Sequence, residues 1–419
     1  MNLQVKVVLL FYFFCCVHAQ NLLIPMDLKQ TDHLKAYGVA YWAIERGIHV
    51  EWLLNYRGGS FMCARDLDIE KRCRMQGVYS EVLSGNTVVD VYGTIERNNM
   101  EIIQLEKTPK IAVYTPPGKR PWDDAVTLVL NYSGIPYQTV WDEGVLDGKL
   151  SDFDWIHLHH EDFTGQYGKF YRSYRTADWY VQQQSLYEGE AKRLGYKKVS
   201  KLKFAVALMI KHYVMEGGFL FAMCSATDSF DIALSAEATD ICDVVFDGDP
   251  VAPDYARHID YQSCFAFEKF EIFTNPLIYE YSDIDTTPLD PLIAQQASDD
   301  YFTLFDFSAK FDPVPAMLTQ NHVSVIHNFM GQTTGFRRAR IKPSVVLLAE
   351  KSETDEVKYI HGNQGRGTWT FLGGHDPEDY HHFVGDNPTD LAFHRNSPGY
   401  RLILNNILFP AARKKEQKT

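Results

Sequence analysis

An α/β fold built around a parallel sheet is the class this sequence predicts, and three observations lead to it. From Lys110 onward, short apolar runs alternate with helical patterns, the signature of βαβ units. The apolar run Phe219–Met223 stops at Cys224 between the small residues Ala222 and Ala226, and a helical pattern follows at once. The composition, 45% hydrophobic and 23% charged over 419 residues, is that of a globular chain with ample core, long enough for two domains or one large domain with insertions.

Taken in order, residues 1–19 read as a signal peptide: Lys6 precedes the apolar run Val7–Val17, and Val17 and Ala19 suit cleavage before Gln20. The expected location is therefore secreted or periplasmic. Residues 20–108 form an N-terminal α/β extension, with a helix over 31–47 capped by Thr31 or Asp32 and a strand over 49–56. Residues 109–410 form the main domain. Its strands are expected at Ile111–Tyr114, Tyr137–Trp141, Trp155–His159, Phe219–Met223 and Thr368–Leu372, with helices at Asp123–Tyr132, Leu202–Met215 and Tyr400–Leu408. Insertions fall near 163–200, which is polar, aromatic and basic, and near 240–345, which reads as β with long loops and strands at 274–281, 316–318 and 323–329. A further strand is expected at 345–349, and residues 411–419 are a basic tail.

The net charge of −13 argues against nucleic acid or an anionic membrane surface as the main partner. No run after the leader reaches the roughly 18 apolar residues that span a bilayer. The expected partner is a small-molecule or glycan-derived substrate, with no membrane insertion once the leader is removed and no cofactor. Beyond the leader stand Cys63, Cys73, Cys224, Cys242 and Cys264. This odd count leaves at least one thiol unpaired in the monomer. Local pairs Cys63 with Cys73 and Cys242 with Cys264 would make Cys224 the free one.

Strand, sharp turn, helix, with a cysteine at the turn, is the geometry of a nucleophile elbow, and the start of the following helix favours thiolate. The run His157-Leu158-His159-His160-Glu161 closes the third strand, at the carboxyl edge where sites of parallel sheets gather. His157 and His159 lie two apart on one side and can bring two imidazoles to one metal, but no third ligand is apparent in a motif. Late in the chain His375 sits in the turn Gly373-Gly374-His375-Asp376-Pro377-Glu378, where a base can be presented to a cysteine. The basic cluster Arg337, Arg338 and Arg340 can hold an anionic group or form a solvated strand.

These pieces resemble the class I glutamine amidotransferase-like superfamily, with Cys224 and His375 matching its cysteine and late histidine in order. The tail, from Gly374-His375-Asp376-Pro377-Glu378 through Pro398-Gly399-Tyr400 to Leu404-Asn405-Asn406, looks most like the ThuA branch. The mature chain also resembles exported bacterial proteins labelled asparagine synthetase B, on His33–Gly38, Asn55–Ser60, Gly373–Tyr380 and Ser397–Pro410. The resemblance implies a flavodoxin-like sheet flanked by helices. It does not imply asparagine synthesis, since the mature start is Gln20 and no Ser-Gly-Gly-x-Asp-Ser run occurs. Alanines replace the usual elbow glycines, and Glu378 follows His375 by three residues instead of two.

The reading that results is a cysteine-dependent hydrolase or amidotransferase-like enzyme acting on a small amide, ester or sugar-derived substrate. Cys224 attacks, His375 carries the proton, and Glu378 or Asp376 orients the imidazole. Ser225, His159, His160 and Glu161 line the oxyanion and substrate side. Two alternatives stand beside it: a ThuA-like, non-hydrolytic carbohydrate protein with His157, His159 and His375 in its pocket, and an inactive binding module.

Overall fold

The computed structural model describes residues 20–118, 123–286, 300–312, 322–380 and 383–412. The leader, the expected strand at 316–318 and nearly all of the basic tail lie outside them. The described strands are β1 (Asn21–Ile24), β2 (Val50–Leu54), β3 (Ser60–Ala64), β4 (Glu81–Leu83) and β5 (Glu101–Leu105) in the first part of the chain. The second part holds β6 (Ile111–Tyr114), β7 (Gln138–Val140), β8 (Trp155–Leu158), β9 (Phe219–Met223), β10 (Tyr301–Leu304), β11 (Val325–His327), β12 (Phe336–Arg337), β13 (Val346–Glu350), β14 (Glu356–Gln364) and β15 (Gly367–Leu372).

The first five strands form one sheet in the order β4-β1-β3-β2-β5, with every pairing antiparallel. The N-terminal α/β extension is thus an antiparallel sheet with helices. Alternation sorts its side chains. Leu23, Leu53 and Met62 face the helix Gly85–Arg97 through Val88, Val91 and Ile95, while Leu22, Ile24, Val50, Trp52 and Phe61 face the helix His33–Glu45. That helix starts at Asp32, whose carboxylate accepts from the Lys35 N–H at 2.9 Å, so one orphan donor of the first turn is satisfied.

The second sheet carries the edge on which the candidate residues lie. Five of its strands are mutually parallel, in the order β7-β6-β8-β9-β15. Numbered along the chain this is 2-1-3-4-5, the flavodoxin-like order, with its switch point between β6 and β8. Beyond β15 the sheet continues antiparallel through β14, β13, β10 and β11, and β12 pairs with β14. The expected strand over 274–281 does not form. That stretch is loop and turn, and its Tyr281 is buried in the core instead.

Helices cover both faces of the parallel part. On one side lie Ala125–Ser133 and the C-terminal helix Pro398–Leu408, packed with His33–Glu45 against Trp155, Phe221 and Met223, which join both sheets in one core. On the other lie Val199–Met215 and Ala226–Ser235 against Ile156, Leu158, Leu220 and Ala222. Helix Ala125–Ser133 is bounded by Asp124, whose side chain accepts from the Thr127 N–H at 2.8 Å, and by Gly134, whose φ of +71° suits a helix stop. Among the described residues no helix is long and apolar enough to cross a membrane.

Candidate active site

Each parallel strand delivers its next residues to the same edge. β6 leads to the loop that ends at Asp124, β8 to His159 and His160, β9 to Cys224 and β15 to His375. The topology therefore brings together all of the sequence's strongest candidates, in the crevice where open α/β sheets hold ligands.

Cys224 sits at the turn from β9 into the helix Ala226–Ser235 with φ of +51°. This left-handed conformation costs a non-glycine residue roughly 1–3 kcal/mol and persists only where the surroundings impose it. Two bonds hold it: the Thr227 N–H and hydroxyl both donate to the Cys224 carbonyl oxygen, at 3.1 and 2.7 Å. The Ala226 N–H donates to the His159 carbonyl oxygen at 2.8 Å, tying this turn to the end of β8.

The sulfur is almost closed off, with the residue 2% exposed. The segment 331–334 lies over it, and the Gln332 N–H donates to Sγ at 3.2 Å. Gly331 has no room for a side chain, since a Cβ there would stand 3.0 Å from Sγ and 2.8 Å from the His375 backbone nitrogen. Burial pushes the thiol above its ordinary value, although the N–H groups of Thr333, Gln332 and Ser225 pull it down. The expectation that the helix start favours thiolate is corrected on this point: desolvation outweighs the amide donors.

His375 lies beside the histidines of β8, its ring centroid 4.4 Å from that of His159 and 5.4 Å from that of His160, the latter pair stacked. The two acids expected to orient it have other partners. Glu378 accepts from the Tyr380 hydroxyl at 2.9 Å and pairs with His394 at 3.0 Å. Asp376 is fully buried and accepts from the Glu378 N–H at 2.8 Å. Ser225 is fully buried at the elbow. Glu161 is buried as well, its carbonyl oxygen accepting from the Ser229 hydroxyl at 3.0 Å.

His157 and His159 do share a side, with rings 5.4 Å apart at 77°. Between them comes a residue the sequence marked only as part of a helix start, Asp124, whose Oδ2 is 3.4 Å from His157 Nε2 and 3.5 Å from His159 Nδ1. Burial raises the Asp124 carboxyl, but the two imidazoles, when protonated, outweigh it and hold the group well below the usual carboxylate range.

Asp228 was also overlooked. It is fully buried in the first turn of the helix after Cys224, accepts from the Thr333 hydroxyl at 3.0 Å, and is pushed up by burial to about 7. The loop that covers Cys224 is thereby anchored to the elbow helix. A second anchor is Lys358, fully buried, whose ammonium donates to the carbonyl oxygens of Phe329 and Thr334 at 2.7 and 2.6 Å.

Two other expectations need correction. The basic cluster is engaged in structural pairs: Arg338 with Glu350, Arg340 with the Asp283 carboxylate and Arg337 with the Asp283 carbonyl oxygen. The five described cysteines are all free thiols. Cys242 donates to the Thr164 carbonyl oxygen and Cys264 to that of Asp231, both at 3.3 Å, so these two thiols have separate partners.

No family model matches this chain, and no curated protein does. Among solved structures it is similar to two cytoplasmic proteins of Salmonella typhimurium, STM3548 and STM1381. Each has 11% identity and a TM-score of 0.33, over 73% of this chain and all of the other. It is also similar to the GH42 beta-galactosidase Gan42B, at 9% identity and a TM-score of 0.26, over 66% of this chain and 29% of that one. Likenesses at this level carry no argument about family or function.

Proposed function

We propose that the crevice is the active site of a cysteine-dependent hydrolase or amidotransferase-like enzyme acting on a small amide, ester or sugar-derived substrate. The observation that carries this reading is the left-handed backbone of Cys224 at the carboxyl edge. Glycine would occupy that turn at no steric cost, so a cysteine kept there at the price of strain points to a use for its sulfur. The resemblance to the amidotransferase-like superfamily belongs to the same proposal.

In this reading His375 takes the thiol proton as Sγ attacks the carbonyl carbon, since burial keeps the resting thiol protonated. The same histidine then returns the proton to the leaving amine or alcohol, and water cleaves the thioester. The Ser225 backbone N–H, which stays at the elbow once substrate displaces the 331–334 segment, is of the kind that stabilises the developing oxyanion. Cys224→Ala should leave the protein folded and abolish turnover in a screen of activated amides and esters. Turnover that survives the substitution removes this mechanism.

A further inference from the structure

At the β6/β8 switch point, beside but separate from Cys224, the three groups Asp124, His157 and His159 converge. Their ligand atoms all lie within 4.8 Å of one another. His157 is fully buried, and its Nδ1 faces the Phe221 carbonyl oxygen at 3.1 Å. A carbonyl only accepts, so Nδ1 carries the proton. In the neutral ring Nε2 is then a lone pair. That lone pair points at Asp124 Oδ2, an acceptor, and has no hydrogen-bond partner among the described residues. Two acceptors facing each other in a buried place need a positive species between them.

The distances say which kind. A charge-assisted hydrogen bond from an imidazolium would draw nitrogen and oxygen to about 2.7–2.9 Å. A tetrahedral cation with ligand bonds of about 2.0–2.2 Å sets its donor atoms roughly 3.3–3.5 Å apart. Asp124 Oδ2 stands 3.4 Å from His157 Nε2 and 3.5 Å from His159 Nδ1. The outer partner fits as well, because a metal-binding imidazole ordinarily gives its other N–H to a carbonyl or carboxylate, as His157 does to Phe221. Asp124 keeps 18% of its side chain exposed, which leaves an approach from solvent.

We propose that Asp124, His157 and His159 bind one divalent d-block cation of the zinc class, with the fourth position left to water or to a substrate oxygen. Two imidazoles and a carboxylate select such an ion over magnesium or calcium, which prefer all-oxygen shells. Three protein ligands with an open fourth position is the pattern of catalytic zinc, not structural zinc. The proposal does not rest on the Cys224 reading and survives its failure.

The test uses the mature chain, stripped with a chelator, titrated with Zn2+ by calorimetry and with Co2+ by visible absorption. One equivalent should bind, and Co2+ should give the intense visible bands of a tetrahedral site without a thiolate-to-metal charge-transfer band. Asp124→Asn keeps a side-chain oxygen that can cap the helix at Thr127. It should lose affinity by at least ~100-fold while circular dichroism shows a native fold. His159→Gln is the second variant, and the same loss is required of whichever variant folds. Cys224→Ala should bind as the parent does. Absence of stoichiometric binding overturns the proposal. So does undiminished affinity in a folded Asp124→Asn or His159→Gln variant, or a thiolate band. Loss in His160→Asn with full retention in Asp124→Asn would also overturn it, by moving the ion to the His375 side.

Discussion

The ends of β8 and β9 lie side by side on one sheet, yet they handle their reactive groups in opposite ways. At β9 everything closes on the sulfur: a strained backbone places it, an N–H caps it, and Gly331 lets a loop pass over it. At β8 the imidazoles meet a carboxylate at distances too long for hydrogen bonds, with Asp124 partly open to solvent. Packing can satisfy a neutral thiol. It cannot satisfy two facing acceptors without a cation. Under the two proposals made above, the guarded group serves covalent chemistry, needed only when substrate enters, and the unbalanced one holds a ligand.

The sharpest way to break this comparison is at His375. If it is the base for a protonated thiol, His375→Gln should slow turnover by about 10²–10⁴-fold, with a native circular dichroism spectrum. Retained rate would leave Cys224 without its proton acceptor.

Asp228 tests how firmly the covering loop is tied down. Its folded carboxyl holds a proton up to about 7, whereas the unfolded chain releases it near the ordinary 3.8. Its contribution to stability is therefore fully present below about pH 4 and is lost as the pH rises toward and through 7. Asp228→Asn should remove that slope and gain on the parent by a few kcal/mol at pH 8. Urea unfolding at pH 4.5 and pH 8 measures the difference, and equal slopes would contradict the assignment.

Gly331→Ala puts a methyl group against Cys224 Sγ and the His375 backbone. It should cost about 1–3 kcal/mol as an overpacked site and make Cys224 more accessible to alkylation, because the loop must lift. Unchanged stability would mean that the loop does not press on the sulfur. The smallest effect concerns strain: Cys224→Gly should exceed Cys224→Ala in stability by about 1 kcal/mol in thermal unfolding, since only glycine relaxes at φ of +51°.

The parts of this site written in local pattern were readable before any fold. The alternation from Lys110 gave the strands whose order proves to be 2-1-3-4-5, and apolar runs ending in Cys224, His159 and His375 marked the edge. What was not legible depends on approach across the chain. Asp124 falls inside the helix expected over Asp123–Tyr132, and in the structure it is the N-cap. Its place between two histidines follows only when helix Ala125–Ser133 packs on the face that carries His157. Asp228 looks like a first-turn acid, and its burial depends on Thr333, 105 residues away. The segment 331–335 reads as a polar turn before the basic cluster, and it becomes part of the site because Gly331 lets it descend onto Cys224. In the first sheet the helix-then-strand order was visible, but pairing direction is set by which strand returns beside which.

Alkylation of the native protein by iodoacetamide, followed across pH and located by peptide mass spectrometry, tests the central claim most directly. Cys224 should be modified ahead of Cys63, Cys73, Cys242 and Cys264, at a rate still rising beyond the ordinary thiol range because burial holds its proton, and more slowly in His375→Gln. Modification of Cys224 only after denaturation would contradict the account and leave the β9 turn as packing alone.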